Sequence, residues 1–578
     1  MELLELKKIV QRSFDLARDE GLSSLTSQAL EKLRMRAFYV LGPSVSDQEY
    51  AAWIKRSEPS DAALAAQSLL AKNFNYHPLI SIITPVWNPP VGLLAETLKS
   101  VVVQTYENWE LCIVDGGSRK EVRDYLTEFA KQNENTRIEF LETNLGISAN
   151  SNKALDLARG DFFTFLDHDD LLAPFALFDV VSLLNQNAES AVIYSDSDRM
   201  LFDGKRIDPL FKPDWSPDMM FSVNYLTHLC VLSSTLTRSL GGFRPETDGA
   251  QDWDLFLRAT ERCDKIAHVP KVLYHWREAP SSVSAVGFHA KPYAKTAQLR
   301  VVDQCLERNQ LYGKAQRHAC GALRVKWKLP DNPLVSVIVT GTNETVIRRC
   351  VSSVKHKSSY KNFEIIVVTP DQMDLDIREV RSVPLHARFE RYAAYNEGAK
   401  NASGKVLVFL DSLTEVSSAD WLEELTGWAS NNEVGVVGCM ILTTNHRILH
   451  GGIVIGLSDY LFRGAREVSS LALGHTEWFR DLNAVSGLCL ATPREIFSTL
   501  GGFDTNLESA ADIGYCLSQQ RIGRRVVYTP HAKLTMLEED LPRQRKLNGF
   551  PQYPQIISAG DQYFNENLSF DHPIPTLE

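Results

Sequence analysis

Asp167 and Asp169 stand one residue apart, directly after the apolar run FFTFL, in the stretch Asp167-His168-Asp169-Asp170. Two carboxylates at i and i+2 on a turn after a strand can grip a divalent cation that also binds a diphosphate. Oxygen ligands of this kind suit Mg2+ or Mn2+, and phosphate oxygens can complete the shell. The plainer reading is an acidic turn that caps a helix from Leu171. Asp252, in QDWDLFLR, stands at the start of an expected helix. It suits helix N-capping, and it equally suits a base that takes a proton from an attacking hydroxyl. Asp254, two residues on, is the weaker candidate for that role. His275, in VLYHWRE after a short apolar strand, offers a neutral imidazole as a third metal ligand. A structural histidine at a strand end is the alternative. Arg277 beside it can meet an anionic leaving group.

Groups so far apart in sequence need a frame that brings them together. From Leu79 the chain alternates short β-rich runs with helical stretches: LISIIT, then LLAETLKSVVVQ, WELCIVD, a helix to about Gln132, RIEFLE, a helix at Ala149–Arg159, and FFTFLDHDD. Strands alternating with helices of this length predict a mainly parallel α/β sheet. Such sheets bind ligands at the carboxyl ends of their strands, where Asp115 and the Asp167–Asp170 cluster sit. The order then recurs as LVSVIVT, FEIIVV and GKVLVFLDS, and GGFRPETDGAQDWDLFL is echoed by GGFDTNLESAADIGYCL. Gly241 and Gly501, Asp252 and Asp512, and Pro270 and Pro530 are each separated by the same 260 residues. This repeat predicts two tandem copies of one α/β domain. They are joined from about Glu278 to Asn332 through a helix within AKTAQLRVVDQCLERN. The expected division is a helical region at 1–78, a catalytic domain at 79–325 and a second, degenerate domain at 326–578. A membrane-surface helix at Leu25–Leu41 competes with a helix packed on its neighbour, and the second is favoured.

A chain of 578 residues is too long for one core. Its net charge of −11 argues against nucleic acid as a partner, but not against an anionic substrate neutralised by a bound metal. Nine scattered cysteines without a CxxC pair suggest reduced thiols in a cytoplasmic protein. The N-terminus lacks a signal-peptide core, and no apolar run is long enough to span a membrane. The expectation is a soluble protein with at most peripheral membrane contact. P-loop and HExxH patterns are absent.

SIITPVWNPP, QTYENWELCIVDGGS, NLGISANSNKAL, FTFLDHDDLLAPFAL, IYSDSD, FKPDWSPD, GGFR…GAQDWDLFLR and VLYHWR occur in that order. Together they resemble family 2 glycosyltransferases of the GT-A fold, above all the multidomain, rhamnosyltransferase-like enzymes of bacterial surface-polysaccharide (O-antigen or capsule) assembly. The resemblance covers about 200 residues of the first copy. It implies an inverting transfer from a nucleotide-sugar donor, a UDP- or dTDP-sugar, assisted by Mn2+ or Mg2+. The acceptor it implies is a saccharide, lipid-linked at the inner face of the bacterial membrane. Carried over, Pro85 and Trp87 flank the nucleotide and Asp115 meets the base. Asp167 and Asp169 serve nucleotide and metal, Asp252 is the catalytic base, and His275 is a metal ligand. Lys212 and Trp215 line the donor or acceptor side, and Arg277 meets the diphosphate. The family commonly reads DDGS where this chain has Asp115-Gly116-Gly117-Ser118. The QxxRW pattern of processive members is absent, which favours adding one or a few sugars.

The second copy departs from the first at the chemical positions. Trp87 corresponds to Thr342, Asp115 to Thr369, Asp169 to Leu413 and His275 to Thr535, while Asp411 and Asp512 match Asp167 and Asp252. A leucine cannot bind a metal. The expectation is a second domain that has lost catalysis, against a two-headed enzyme or a non-catalytic nucleotide-sugar-binding scaffold.

Overall fold

The computed structural model describes residues 45–278, 292–318, 321–373, 375–537 and 560–578. The stretch Leu25–Leu41 lies outside them. Strands β1 (Ile80–Val86) and β2 (Trp109–Asp115) are buried at every position, as expected of apolar runs covered by helices on both faces. With β3 (Thr136–Phe140), β4 (Phe162–Phe165), β5 (Leu171–Leu172), β6 (Val192–Met200), β7 (Arg206–Leu210), β8 (Cys230–Ser233) and β9 (Ile266–Arg277) they form a nine-stranded sheet. Its order is β3-β2-β1-β4-β8-β6-β9-β5, with β7 beside β6. Strands β1 to β4 and the pair β6–β9 run parallel, whereas β8 is antiparallel to both β4 and β6.

A helix at Pro292–Arg308 and the hairpin β10 (Gly313–Arg317) to β11 (Leu323–Trp327) lead to the second sheet. The expected boundary at residues 325 and 326 falls inside β11. The second sheet holds β12 (Val335–Thr340), β13 (Phe363–Pro370), β14 (Arg381–Leu385), β15 (Val406–Asp411), β16 (Thr414–Val416) and β17 (Val434–Leu442). Beyond β18 (Ile448–His450) and the short pair β19 (Ser470–Leu471) and β20 (Gly474–His475), it adds β21 (Arg480–Asp481), β22 (Cys489–Pro493) and β23 (Arg525–Met536). Its order, β14-β13-β12-β15-β22-β17-β23-β16, matches the first strand for strand.

The registers agree too: Ile80 pairs with Trp109 and Phe162, and Val335 with Phe363 and Val406. Asn152 brackets the backbone of Phe243 through both amide atoms (2.8 Å each), and Asn396 does the same to Phe503 (2.8 and 2.9 Å). The fold is thus two tandem, mainly parallel α/β domains, as the repeat predicts.

The two copies share one apolar core. Trp327 of the hairpin packs edge-on against Trp428 at 4.8 Å, and Phe221 lies 6.1 Å from the same ring. Gly427 makes that approach possible, because a Cβ there would lie 2.1 Å from Trp327 Cγ. Buried polar groups cross the same interface. Ser216 Oγ donates to Asp481 (2.7 Å), and Arg525 pairs with Asp218 at 2.8 Å. The helix Asp47–Ser57 opens with a capping box between Ser46 and Glu49. It buries Tyr50 and Trp53, the latter 5.1 Å from Phe211. The eight described cysteines are free thiols. No described helix is long and apolar enough to cross a membrane.

Candidate active site

The carboxyl ends of β1 and β4 and the start of the helix Gln251–Thr260 enclose one pocket, whose walls include Pro85, Ile147, Ser151, Asp167, His228 and Asp252. Asp252 is not the helix cap, a place taken by Ala250. Its Oδ2 accepts from Thr227 Oγ1 (3.0 Å) and Asn224 Nδ2 (3.1 Å). Burial nevertheless pushes its carboxyl above the ordinary range.

Across the pocket, ligand atoms of Asp167, Asp170 and His228 lie within 4.8 Å of one another. Asp170 is buried and fixed, accepting from Tyr274 OH (2.6 Å) and from the backbone N–H of Arg277 (2.8 Å). Burial, and then the charges of Asp167 and Asp169, push its carboxyl well up. Burial, helped by Lys212, holds His228 down at about 3, so its imidazole is neutral and has a lone pair to give. Two carboxylates and a neutral imidazole fit Mn2+ or Mg2+, and a cation would offset the repulsion that raises Asp170.

The expected ligands Asp167, Asp169 and His275 do not come together as a group in the structure; among the described residues the candidate cluster is Asp167, Asp170 and His228. Side chains alternate along a strand. On β9, Tyr274 reaches Asp170, so its neighbour His275 faces the other way, with Nδ1 2.7 Å from Asp198 Oδ1. Asp198 also accepts from Tyr50 OH and Arg206 Nε, both at 2.5 Å, so His275 belongs to a buried structural network. Asp169 is half-buried beside the trio. Asp254, the weaker candidate for a base, is fully buried and paired with Arg244 and Arg258.

Asp115 ends β2 without solvent exposure. Its Oδ2 accepts from Ser118 N–H (3.1 Å) and has Arg123 at 3.6 Å, whereas the buried Oδ1 has no partner among the described residues. An orphaned buried acceptor calls for a donor. Gly116 stands where the family commonly has a second acidic residue, and Asn150 lies close against it. A Cβ at Gly116 would lie 2.7 Å from Asn150 Nδ2. Pro85 lines the pocket, its carbonyl 3.1 Å from His168 Nδ1, and Trp87 follows just past β1 with half its surface exposed.

Arg277 is buried with its guanidinium 2.8 Å from Glu96. Lys212 does not line the pocket as expected. It is wholly buried and donates to the carbonyl oxygens of His228 (2.8 Å) and Thr227 (3.3 Å), and burial lowers its ammonium to about 7. Trp215 also stands outside the pocket wall, stacked on Tyr225 at 6.3 Å. Sequence reasoning missed His228 and gave no role to Asp170. The signal for His228 was weak, a lone histidine before the apolar run LCVL.

The second copy closes the same position. Arg391 and Tyr395 stand where the first copy has Ile147 and Ser151, five and one residues before the matched Asn396 and Asn152. Arg391 pairs with Asp411 at 2.7 Å, and Tyr395 OH donates to the Gly487 carbonyl (2.9 Å). The pairing of β15 with β22 puts Leu488 at the place of His228, and Thr414 replaces Asp170. Asp512 accepts from Gly487 N–H (2.7 Å).

A family profile described as Glycosyl transferase family 2 matches residues 81–238 and 336–467, half of the chain between them. The chain is 36% identical over 546 residues to uncharacterized protein y4gI of Sinorhizobium fredii, covering 88% of this chain and 60% of that one. It is 33% identical over 553 residues to the O-antigen biosynthesis protein RfbC of Myxococcus xanthus, covering 91% and 43%. The chain therefore spans about half the length of these curated relatives. Among solved structures, S. aureus TarS 1–349 in complex with UDP-GlcNAc aligns with 40% of this chain and 72% of its own, at 18% identity and a TM-score of 0.33.

Proposed function

The chain belongs to glycosyl transferase family 2, and we propose that its first domain transfers a sugar from a nucleotide-sugar donor, a UDP- or dTDP-sugar, to a saccharide acceptor. The process is bacterial surface-polysaccharide assembly, and the relative named for O-antigen biosynthesis supports that setting. The acceptor is lipid-linked, and the enzyme works at the cytoplasmic face of the membrane through peripheral contact.

One observation carries the reading: Asp252 and Asp167 line the same pocket, the first with the raised carboxyl a base needs, the second within a cation-fitting cluster. Asp115 takes the base through its free Oδ1, while Pro85 and the exposed Trp87 flank the nucleotide. Asp167, Asp170 and His228 would hold Mn2+ or Mg2+, with Asp169 beside them; the ion supplies charge stabilisation for the departing diphosphate. Thr227 and Asn224 aim the Asp252 carboxylate, which removes the proton from the acceptor hydroxyl as that oxygen attacks the anomeric carbon. With the base and the leaving-group site on separate walls, the displacement inverts. The second domain is non-catalytic, because Arg391 and Leu488 stand where a cation site would be.

The test is the product's anomeric configuration, read by NMR after transfer from an α-linked donor. A β-linked product is expected; an α-linked product overturns the single-displacement mechanism.

A further inference from the structure

Residues 224–228 bring three groups to the pocket: Asn224 and Thr227 on Asp252, and His228 in the carboxylate cluster. That loop is held from beneath by Lys212, whose ammonium grips the carbonyls of Thr227 and His228. Lys212 is itself fixed at two points. Its backbone N–H donates to Asp196 Oδ1 (2.8 Å), and its carbonyl accepts from Asn565 Nδ2 (2.8 Å). The same amide nitrogen donates to Asp196 Oδ2 at 2.9 Å.

Asn565 comes from the other end of the chain and is 3% exposed. Its segment is tied to the first domain on both sides of Asn565, with Asp214 N–H donating to the Gln562 carbonyl (2.9 Å) and Asn567 Nδ2 donating to the Pro270 carbonyl (2.8 Å), and it is held to the second domain as well. Ile455 N–H donates to Asp561 (2.7 Å), Ser458 N–H donates to the Phe570 carbonyl (2.9 Å), and Phe564 and Leu568 are buried in an apolar cluster made mostly of second-domain residues, with Phe211 and Val272 of the first. Acceptors buried this deeply carry the full cost of desolvation when a donor is withdrawn, and linked polar groups shift together.

We propose that Asn565 is a positioning residue for the first pocket. Through it the second domain clamps the Lys212-held loop that presents Thr227 and His228. Asn565 touches no reacting atom; it acts through Lys212 and Asp196. The inference rests on the first pocket being the transfer site, and it gives a domain without a cation site a part in the reaction.

The test uses the full chain as wild type, Asn565→Asp, Ser458→Ala and Asp252→Asn. Asn565→Asp keeps the size but sets an acceptor against the Asp196 carboxylate and the Lys212 carbonyl. Ser458→Ala removes a 2.7 Å bond to the Asp571 carbonyl at the far end of the segment and leaves the anchors at Asp561 and Phe570 and the contacts of Asn565 in place. Binding of Mn2+ alone is followed by electron paramagnetic resonance, and kcat and KM are measured for whichever UDP-, dTDP- or GDP-sugar is consumed. Asn565→Asp is expected to weaken Mn2+ binding and lower kcat by about tenfold each, the scale of lost outer-shell support, with donor KM unchanged. Ser458→Ala should match wild type in both, at whatever cost in Tm. An Asn565→Asp variant that behaves as wild type overturns the inference, as does a Ser458→Ala variant that loses as much. A wild type that binds no Mn2+, beside an Asp252→Asn variant that still turns over, instead overturns the pocket reading and this inference with it.

Discussion

In the first pocket Asp167 lies with Asp170 and a neutral His228; in the second, its counterpart Asp411 is paired with Arg391. Both domains keep a carboxylate at the end of the strand beside the central one, and both keep an aspartate in the first turn of the helix that faces it. The counter-charge differs. The first pocket leaves its carboxylates crowded, which an exchangeable cation would relieve, while the second supplies a guanidinium fixed to the chain. A built-in guanidinium holds the same carboxylate in the second pocket. On the proposed reading, retaining two aspartates does not by itself retain a cation site.

The comparison breaks most sharply at the base. Asp252→Asn should lower kcat by about 10³-fold, the middle of the usual range for general-base removal, measured as donor consumption with acceptor present. Ile147→Arg carries the second pocket's arginine into the first. It should cost on the order of 10²-fold in kcat and weaken Mn2+ binding; an unchanged variant would mean that Arg391 is not what closes the second pocket.

The pH profile sharpens the same point. A base works only when deprotonated, and burial raises Asp252, so kcat/KM should rise with pH through a midpoint above the ordinary aspartate range and fall away below it. A limb at ordinary aspartate values would place the base elsewhere. Arg391→Ile leaves Asp411 without its partner. The Arg391 side chain is 36% exposed, so solvent screens the pair, and the expected loss is about 1 kcal/mol, read as a Tm lower by a few degrees. Turnover should not change.

The repeat, the strand order and the aspartates at strand ends were legible in the sequence, because apolar runs of fixed period and acidic residues directly after them leave few places to go. The structure places His275 beside Asp198 and Lys212 under the loop carbonyls, away from their expected positions, for local reasons. His275 sits on a strand, so one residue of alternation decides which face it serves, and the bulky apolar neighbours Tyr274 and Trp276 did not show which way it points. Lys212 reads as a cation lining the donor or acceptor side, whereas the fold buries it under the carbonyls of Thr227 and His228. His228 enters the pocket only because β8 runs antiparallel between β4 and β6, a non-local pairing that no short window of sequence reports. Arg391 was equally hidden: its meaning depends on Asp411 twenty residues later and on Ile147 in the other copy.

The central claim, that the first pocket is the transferase and the second is not, is tested most directly by one paired measurement. Consumption of a panel of UDP-, dTDP- and GDP-sugars with Mn2+ or Mg2+ is compared for wild type, Asp252→Asn and Asp512→Asn. One donor should be consumed only with metal, with Asp252→Asn inactive and Asp512→Asn unchanged. Turnover that survives Asp252→Asn, or a linkage lost with Asp512→Asn, would contradict it.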